Sequence, residues 1–216
     1  MSKYPFIVLE GIDGSGKTTL RNELWHELLN NGVPTIAMGQ HSWLHPEYSE
    51  VLSQLRVSDS HELPPSNINQ FIQAYCTDKY LHWKNSIESQ LKECIVITDR
   101  YTLSDCVYLS TLYNINYKDI LNSGIQMGLG VPDILVYLDL DPISAERRVI
   151  ARGRETRHYE RSEPLKKIRE QYINVLESED ESNKLFSETC IKTSSSNTQE
   201  RQDAKEQILK EIYNYI

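Results

Sequence analysis

The stretch Phe6-Ile7-Val8-Leu9-Glu10-Gly11-Ile12-Asp13-Gly14-Ser15-Gly16-Lys17-Thr18-Thr19 decides how this chain is read. Four apolar residues lead into a glycine-rich turn, and a helical pattern (Leu20, Leu24, Leu28) follows at once. A strand, a tight glycine loop and a helix in that order make a phosphate cradle, whereas the bland alternative is a turn with an exposed lysine. Gly11, Gly14 and Gly16 let the backbone aim several N–H groups at one anion. Lys17 adds a positive charge near the β- and γ-phosphates, and the Thr18 hydroxyl suits Mg²⁺. With Asp13, Ser15 and Thr19 completing the loop, the segment predicts a site for ATP and Mg²⁺.

The 216 residues, 39% apolar and 25% charged, have the size and composition of one soluble globular unit, so residues 1–216 are expected to form a single domain. A net charge of −8 argues against polymeric nucleic acid and against membrane surfaces as partners. Any anionic ligand must then be held by local clusters of cations. There is no apolar run of about 18 residues to span a bilayer. Met1-Ser2-Lys3-Tyr4-Pro5 enters a strand almost immediately, leaving no room for a signal peptide, so a cytoplasmic protein is expected. Cys76, Cys94, Cys106 and Cys190 lack the close spacing of metal ligands and read as reduced, partly buried thiols.

Along the chain, strand-like runs (6–10, 34–38, 94–98, 134–140 and 189–193) alternate with helical stretches. That alternation predicts an α/β fold with a parallel sheet. Ile95-Val96-Ile97 and Ile134-Leu135-Val136-Tyr137-Leu138 are almost continuously apolar, as strands covered on both faces should be. Helices are expected at 17–30, 67–91, 104–113, 118–128, 143–151, 163–179 and 199–215. Two segments lack this regularity. Residues 39–66 carry three prolines and three histidines and read as a loop with short helices. Residues 152–161 crowd Arg152, Arg154, Arg157 and Arg161 between two helices. Such a run is either a solvated surface or a mobile lid over phosphates, and the cations a triphosphate needs favour the lid.

Asp99-Arg100-Tyr101 follows the third strand-like run. In an open parallel sheet, ligands bind beyond the carboxyl ends of the strands, which sets these residues beside the phosphate loop. Asp99 can accept from metal-bound water or from Thr18, and the forked guanidinium of Arg100 can bridge two phosphates. An ordinary Asp–Arg surface pair is the competing reading.

The ordered set of motifs resembles the thymidylate kinases, a family of phosphate-loop (P-loop) nucleoside monophosphate kinases. The first motif, the Asp99-Arg100-Tyr101 block with Ser104 and Tyr108, and the strand Pro132 to Asp139 all match the family's pattern. So do Arg147-Arg148, Arg152-Gly153-Arg154, Tyr159-Glu160 and Tyr172, and the likeness spans nearly the whole chain. It implies a P-loop NTPase fold, a five-stranded parallel sheet flanked by helices with a mobile lid at about 152–161. It also implies Mg²⁺-dependent transfer of the ATP γ-phosphoryl group to a nucleoside 5′-monophosphate, most directly dTMP, in a chain that forms a homodimer. By position, Lys17 and Thr18 serve the donor and metal, with Asp99 the second metal residue. Asp13 lies near the acceptor sugar, Arg100 touches both phosphates, and Arg152, Arg154 and Arg157 neutralise transition-state charge. Positioning and cations do most of the work in phosphoryl transfer, and a phosphate acceptor needs no general base.

The acceptor side departs from that pattern. Where the family has Phe-x-x-x-Arg against the base, this chain aligns Tyr75 and Lys79, four apart and so on one helix face. Tyrosine can still stack, but lysine cannot reproduce a planar two-donor fork. Asp105 replaces a small or amide residue and is expected either to pair with Lys79 or to touch the base, while the resemblance implies that Ser104 and Tyr108 face the acceptor. After the second strand, Gly39-Gln40-His41-Ser42-Trp43 carries no arginine, and none occurs before Arg56. His41 reads as a replacement cation or as a loop histidine without a role, and Trp43 and Trp83 read as core aromatics in preference to walls of the base pocket. Two further readings stand beside the kinase. One is a small-molecule or modified-nucleotide kinase using Asp13 or Asp105 as base, and the other an ATP-binding regulator without transfer.

Overall fold

The computed structural model describes residues 4–47, 49–50, 53, 68–153, 155–180 and 183–216. Five strands, β1 (Phe6–Glu10), β2 (Thr35–Met38), β3 (Ile95–Asp99), β4 (Ile134–Asp139) and β5 (Cys190–Ser194), form one parallel sheet in the order β2-β3-β1-β4-β5. A parallel pair cannot be closed by a hairpin, so helices carry the chain back between strands and cover both faces. All five residues of β1 are buried, which accounts for its unbroken apolar run up to Glu10. The chain leaves β1 toward β2 on one side and returns to place β4 on the other. This opens a crevice at the carboxyl end of β1.

The helices are α1 (Lys17–Asn30), α2 (Ile68–His82), α3 (Thr102–Tyr113), α4 (Tyr117–Met127), α5 (Pro142–Ile150), α6 (Ser162–Glu177), the short α7 (Lys184–Ser187) and α8 (Thr198–Tyr215). Leu20, Leu24 and Leu28 pack from α1 onto Ile7, Leu9 and Ile97, with Ile208 and Ile212 of α8 beside them. The opposite face of the sheet, through Leu135 and Tyr137, packs on Leu103, Ile168 and Tyr172. Asp141 caps α5 by accepting from Ser144 N at 2.9 Å, and Pro142 occupies its first turn, where a missing N–H costs nothing.

Element bounds follow the sequence expectation within a few residues, with one substantive correction. The long helix expected over 67–91 stops being α-helical at His82, widens into a π-helical turn over Trp83–Ile87, and tightens into a 3₁₀ turn at Gln90–Lys92. Trp83 packs its ring 5.7 Å from Phe6. It also lies so close over Gly130 that a β-carbon there would sit 2.2 Å from the indole. The wide turn is where the helix accommodates that fixed indole. Trp43 is also corrected: it is 42% exposed at a left-handed φ of 57°, outside the core. All four cysteines are free thiols, three of them buried. Residues 46–47 and 49–50 are helical, while 54–67 lie outside the described residues.

Candidate active site

Backbone geometry fixes the phosphate loop. Gly11 and Gly14 have φ of 140° and 86°, where L-residues are strained, and both are also hemmed in. A β-carbon at Gly11 would stand 2.6 Å from the Leu138 carbonyl oxygen, and one at Gly14 2.4 Å from that of Ala145. Lys17 is folded back on the loop, with Nζ donating to Gly11 O at 2.9 Å, Ile12 O at 2.8 Å and Ser15 Oγ at 3.3 Å. Burial and the nearby Arg100 charge pull its amine down to about 8, against the opposing pull of Asp99, Asp13 and Glu10. Thr18, at the start of α1, donates its hydroxyl to Asp99 Oδ2 at the end of β3. The two oxygen-bearing groups expected to serve a metal therefore meet.

Arg100 is the hub of the crevice. It leaves β3 with a left-handed φ of 71°, and its backbone N–H is held by Leu9 O at 2.9 Å. Its Nη1 donates to Ser104 Oγ and to the Tyr172 hydroxyl, both at 3.1 Å, and Nη2 donates to the Tyr108 hydroxyl at 2.8 Å. Asp13 Oδ1 lies 3.1 Å from Nη2, and Tyr108 donates to Asp13 Oδ2 at 2.9 Å. Burial alone would raise Asp13, but the charges of Arg100 and Lys17 and the Tyr108 hydroxyl hold it well below the usual carboxylate range. Beneath them Glu10 is wholly buried, accepting from Tyr101 N at 2.9 Å, from the Tyr172 hydroxyl at 3.1 Å and from Ser104. Burial raises its carboxyl despite those bonds and the Arg100 charge.

These groups open into a cavity of about 270 Å³ whose walls include Asp13, Arg21, Gln40, His41, Tyr75 and Asp99. Arg100, Asp105, Tyr108, Arg157 and Tyr159 complete the polar lining. The floor is a buried polar network joining α2, α3 and the loop after β2. Lys79 is 1% exposed, 3.1 Å from Asp105 Oδ2, and donates to Gln40 O at 2.9 Å. The Gln40 side chain donates to Asp105 Oδ1 at 2.7 Å. Burial pushes Asp105 up to about 6, opposed mainly by Lys79. One residue earlier on α2, Asp78 gathers His41 Nδ1 at 2.8 Å, Ser42 Oγ at 2.6 Å, and the Ser42 and Trp43 N–H groups at 3.1 Å. Burial would raise Asp78, but the His41 bond and the Lys79 charge bring it down to about 2.

A second depression lies beyond the other side of the phosphate loop, bounded by Gly14, Gly16, Thr19, Arg148, Arg152, Asn197 and Arg201. Arg148 ties it together, its Nη2 donating to Ser195 O at 2.6 Å and Ser196 O at 2.9 Å. The Ser195 hydroxyl in turn donates to Ser15 O at 2.5 Å.

Of the expected site residues, Asp13, Tyr75, Asp99, Arg100, Asp105, Tyr108 and Arg157 line one cavity. The pairing of Lys79 with Asp105 is as expected, but both Lys79 and Ser104 are spent beneath the cavity surface, on Asp105 and on Glu10. The arginine-rich run divides: Arg157 reaches the cavity and donates to Tyr159 at 2.7 Å, Arg152 lies at the second depression, and Arg154 is outside the described residues. Sequence reasoning gave no site role to Glu10, Arg21, Gln40, Asp78, Tyr159 or Arg148, although Tyr159 and Arg148 stand in motifs it quoted. Glu10 alone carried a legible signal, a carboxylate closing an otherwise apolar buried strand.

Comparison with known proteins gives a concordant result. The family model for thymidylate kinase matches residues 9–199. A thymidylate kinase of Leptospira interrogans is 33% identical over 172 residues, covering 79% of this chain and 81% of that one. That of Mycoplasmoides gallisepticum is 30% identical over 182 residues (82% and 83%). A probable thymidylate kinase of Methanococcus maripaludis is 33% identical over 184 residues (81% and 78%).

Proposed function

The chain belongs to the thymidylate kinase family, and from that premise we propose that it moves the γ-phosphoryl group of ATP onto the 5′-phosphate of dTMP in the cavity around Arg100. The observation that carries this reading is the continuity of the crevice. Phosphate loop, Thr18–Asp99 pair, Arg100 and the cavity follow one another at the carboxyl ends of β1 and β3. Donor and acceptor phosphates therefore meet at Arg100.

Thr18 and Asp99 fit a divalent cation, being two hard oxygen donors already within hydrogen-bond reach of each other. Bound there, Mg²⁺ supplies positive charge to the donor phosphates. The chain does the rest. Gly11 to Thr18 offer backbone N–H groups and the start of α1 to the β-phosphate. Lys17 exchanges the carbonyls of Gly11 and Ile12 for phosphate oxygens, which leaves its charge against the transferring group. The ATP nucleoside takes the depression beside Arg148 and Ser195–Thr198, on the far side of the loop from the cavity. Arg100, already polarised by Asp13 and the two tyrosines, faces the attacking phosphate, and its several bonds leave the fork one orientation. The attacking oxygen is anionic, so Asp13 holds and orients Arg100 and has no proton to remove. Arg152 and Arg157, in a lid over 152–161, close on the phosphates from α5 to α6, and Tyr75 stacks on the base.

A coupled ADP-release assay across dTMP, dUMP, UMP, CMP, GMP, AMP and the free nucleosides tests this. Turnover with dTMP is expected, and turnover with a free nucleoside alone would overturn it. We extend the proposal to a homodimer in the cytoplasm, for which family membership is the support. Sedimentation of the purified chain at micromolar concentration tests the dimer, and fractionation of the cells that make it tests the location. Among the described residues no helix is long and apolar enough to cross a membrane.

A further inference from the structure

An acceptor that brings a phosphate dianion into this cavity meets the carboxylates Asp13, Asp99 and Asp105 in its walls. Desolvated anions need compensating cations at hydrogen-bond distance. Most cations here are already matched. Arg100 is 3.1 Å from Asp13, and Lys79 is 3.1 Å from Asp105 and buried below the surface. Arg157 donates to the Tyr159 hydroxyl. His41 has its Nδ1 against Asp78. The loop that leaves β2, Gly39 to Leu44, contributes no lysine or arginine.

Unlike Arg100, Lys79 and His41, Arg21 has no carboxylate partner among the described residues, a property it shares only in part with Arg157 of the lid run, which stands beside Tyr159. It stands three residues after Thr18 on α1, so it projects from the same helix face as the hydroxyl that meets Asp99. Its Nη1 donates to Met38 O, the last residue of β2, at 2.9 Å. Its Nε and Nη2 donate to Asn22 Oδ1 at 3.1 and 2.9 Å. Every one of these acceptors is neutral. A guanidinium has five N–H donors, so among the described residues one donor remains on each terminal nitrogen. The side chain is thus a charged fork, fixed by two neutral contacts, in the wall of the cavity beside Gly39 and Gln40.

Building on the kinase reading above, we propose that Arg21 binds the acceptor's 5′-phosphate and thereby selects phosphorylated over unphosphorylated acceptors. It does so from α1, reaching across the end of β2 to a loop that carries no lysine or arginine. The Met38 bond keeps the fork aimed, which lowers the entropy lost when phosphate binds. Arg21 is a binding residue for the acceptor, and the transferring group is left to Lys17 and Arg100.

The test compares dTMP with thymidine, which differ by the phosphate alone. Calorimetric affinities are measured for both with the parent chain, Arg21→Gln, Arg21→Lys and His41→Asn. Arg21→Gln is expected to weaken dTMP about thirtyfold, as loss of a charged hydrogen-bond pair does, and thymidine less than twofold. In turnover, KM for dTMP should rise while KM for ATP holds. Arg21→Lys, which keeps the charge without the fork, should fall between, and it carries the test if Arg21→Gln does not fold. Equal weakening of dTMP and thymidine would make Arg21 a structural tie to Met38 and overturn the proposal. So would an unchanged dTMP affinity in both Arg21 variants. Collapse of the dTMP preference in His41→Asn alone would assign the phosphate to the histidine instead. Failure of the parent chain to phosphorylate dTMP would remove the kinase reading itself, and this inference with it.

Discussion

The two ends of the crevice are built on opposite principles. The donor end is a local structure in which eight consecutive residues, Gly11 to Thr18, supply the turn, the amides, the lysine and the hydroxyl. The acceptor floor is assembled from residues far apart in the chain. Asp78 and Lys79 come from α2, Gln40 to Trp43 from the loop after β2, and Asp105 from α3. At the donor end the buried ammonium of Lys17 rests on backbone carbonyls that any sequence would provide. On the floor the buried charges also depend on particular side chains brought from other segments, so substitution there moves stability and specificity together.

The comparison can be broken in several ways, beginning with the largest effect. Lys17→Ala should lower phosphoryl transfer by about 10³-fold, the cost of a lost preorganised charge contact at the transferring group. The ADP-release assay checks this, and a variant within tenfold of the parent would remove the donor end from the chemistry. Lys79→Met leaves the buried Asp105 without its counter-charge and should cost about 3 kcal/mol of stability. In a chain of this size that is a fall in Tm of roughly 6–12 °C, which calorimetry reads. Combining it with Asp105→Asn should restore most of the loss, since removing both charges of a buried pair is often nearly neutral.

Gly14→Ala sharpens the contrast from the donor side. Left-handed strain at φ 86° and a β-carbon 2.4 Å from Ala145 O should together cost about 2 kcal/mol. Thermal melts read the stability, and KM for ATP should rise while thymidine affinity holds. The smallest effect is a slope. Asp105 is raised from an ordinary 3.8 to about 6. The folded chain therefore holds its proton more tightly than the unfolded chain does. Its contribution is fully present below about pH 4 and lost as pH rises through about 6. Denaturant melts of Asp105→Asn should show a shallower decline over that window than the parent. Asp78, lowered from 3.8 to about 2, acts in the opposite sense, and its contribution disappears as pH falls from about 4 through 2.

The alternating apolar runs and glycine turns were legible because each states a local requirement. β1 needs apolar residues on both faces, and Gly14 sits where a side chain would strike α5. Asp99 and Arg100 were legible from their place at the end of a strand. The identity of the groups facing the acceptor was less so. Lys79 and Tyr75 share a helix face in sequence, yet Tyr75 reaches the cavity while Lys79 is drawn beneath it by Asp105 and the Gln40 carbonyl. Nothing local in Arg21 sets it apart from the other charges of an exposed helix face. Only the end of β2 passing beside it, with Met38 O as its acceptor, turns it inward.

The sequence by itself determined the parallel α/β sheet, the phosphate loop, the Thr18 and Asp99 oxygens and the family. The sheet and the loop follow from residue spacing and backbone sterics that act over a few positions, and the family from the resemblance of the ordered motifs. The tertiary structure decided which cations face the acceptor and which are spent on buried carboxylates. That division depends on burial and on charges from distant segments, and a buried charge takes the partner that the packing of the helices brings to it.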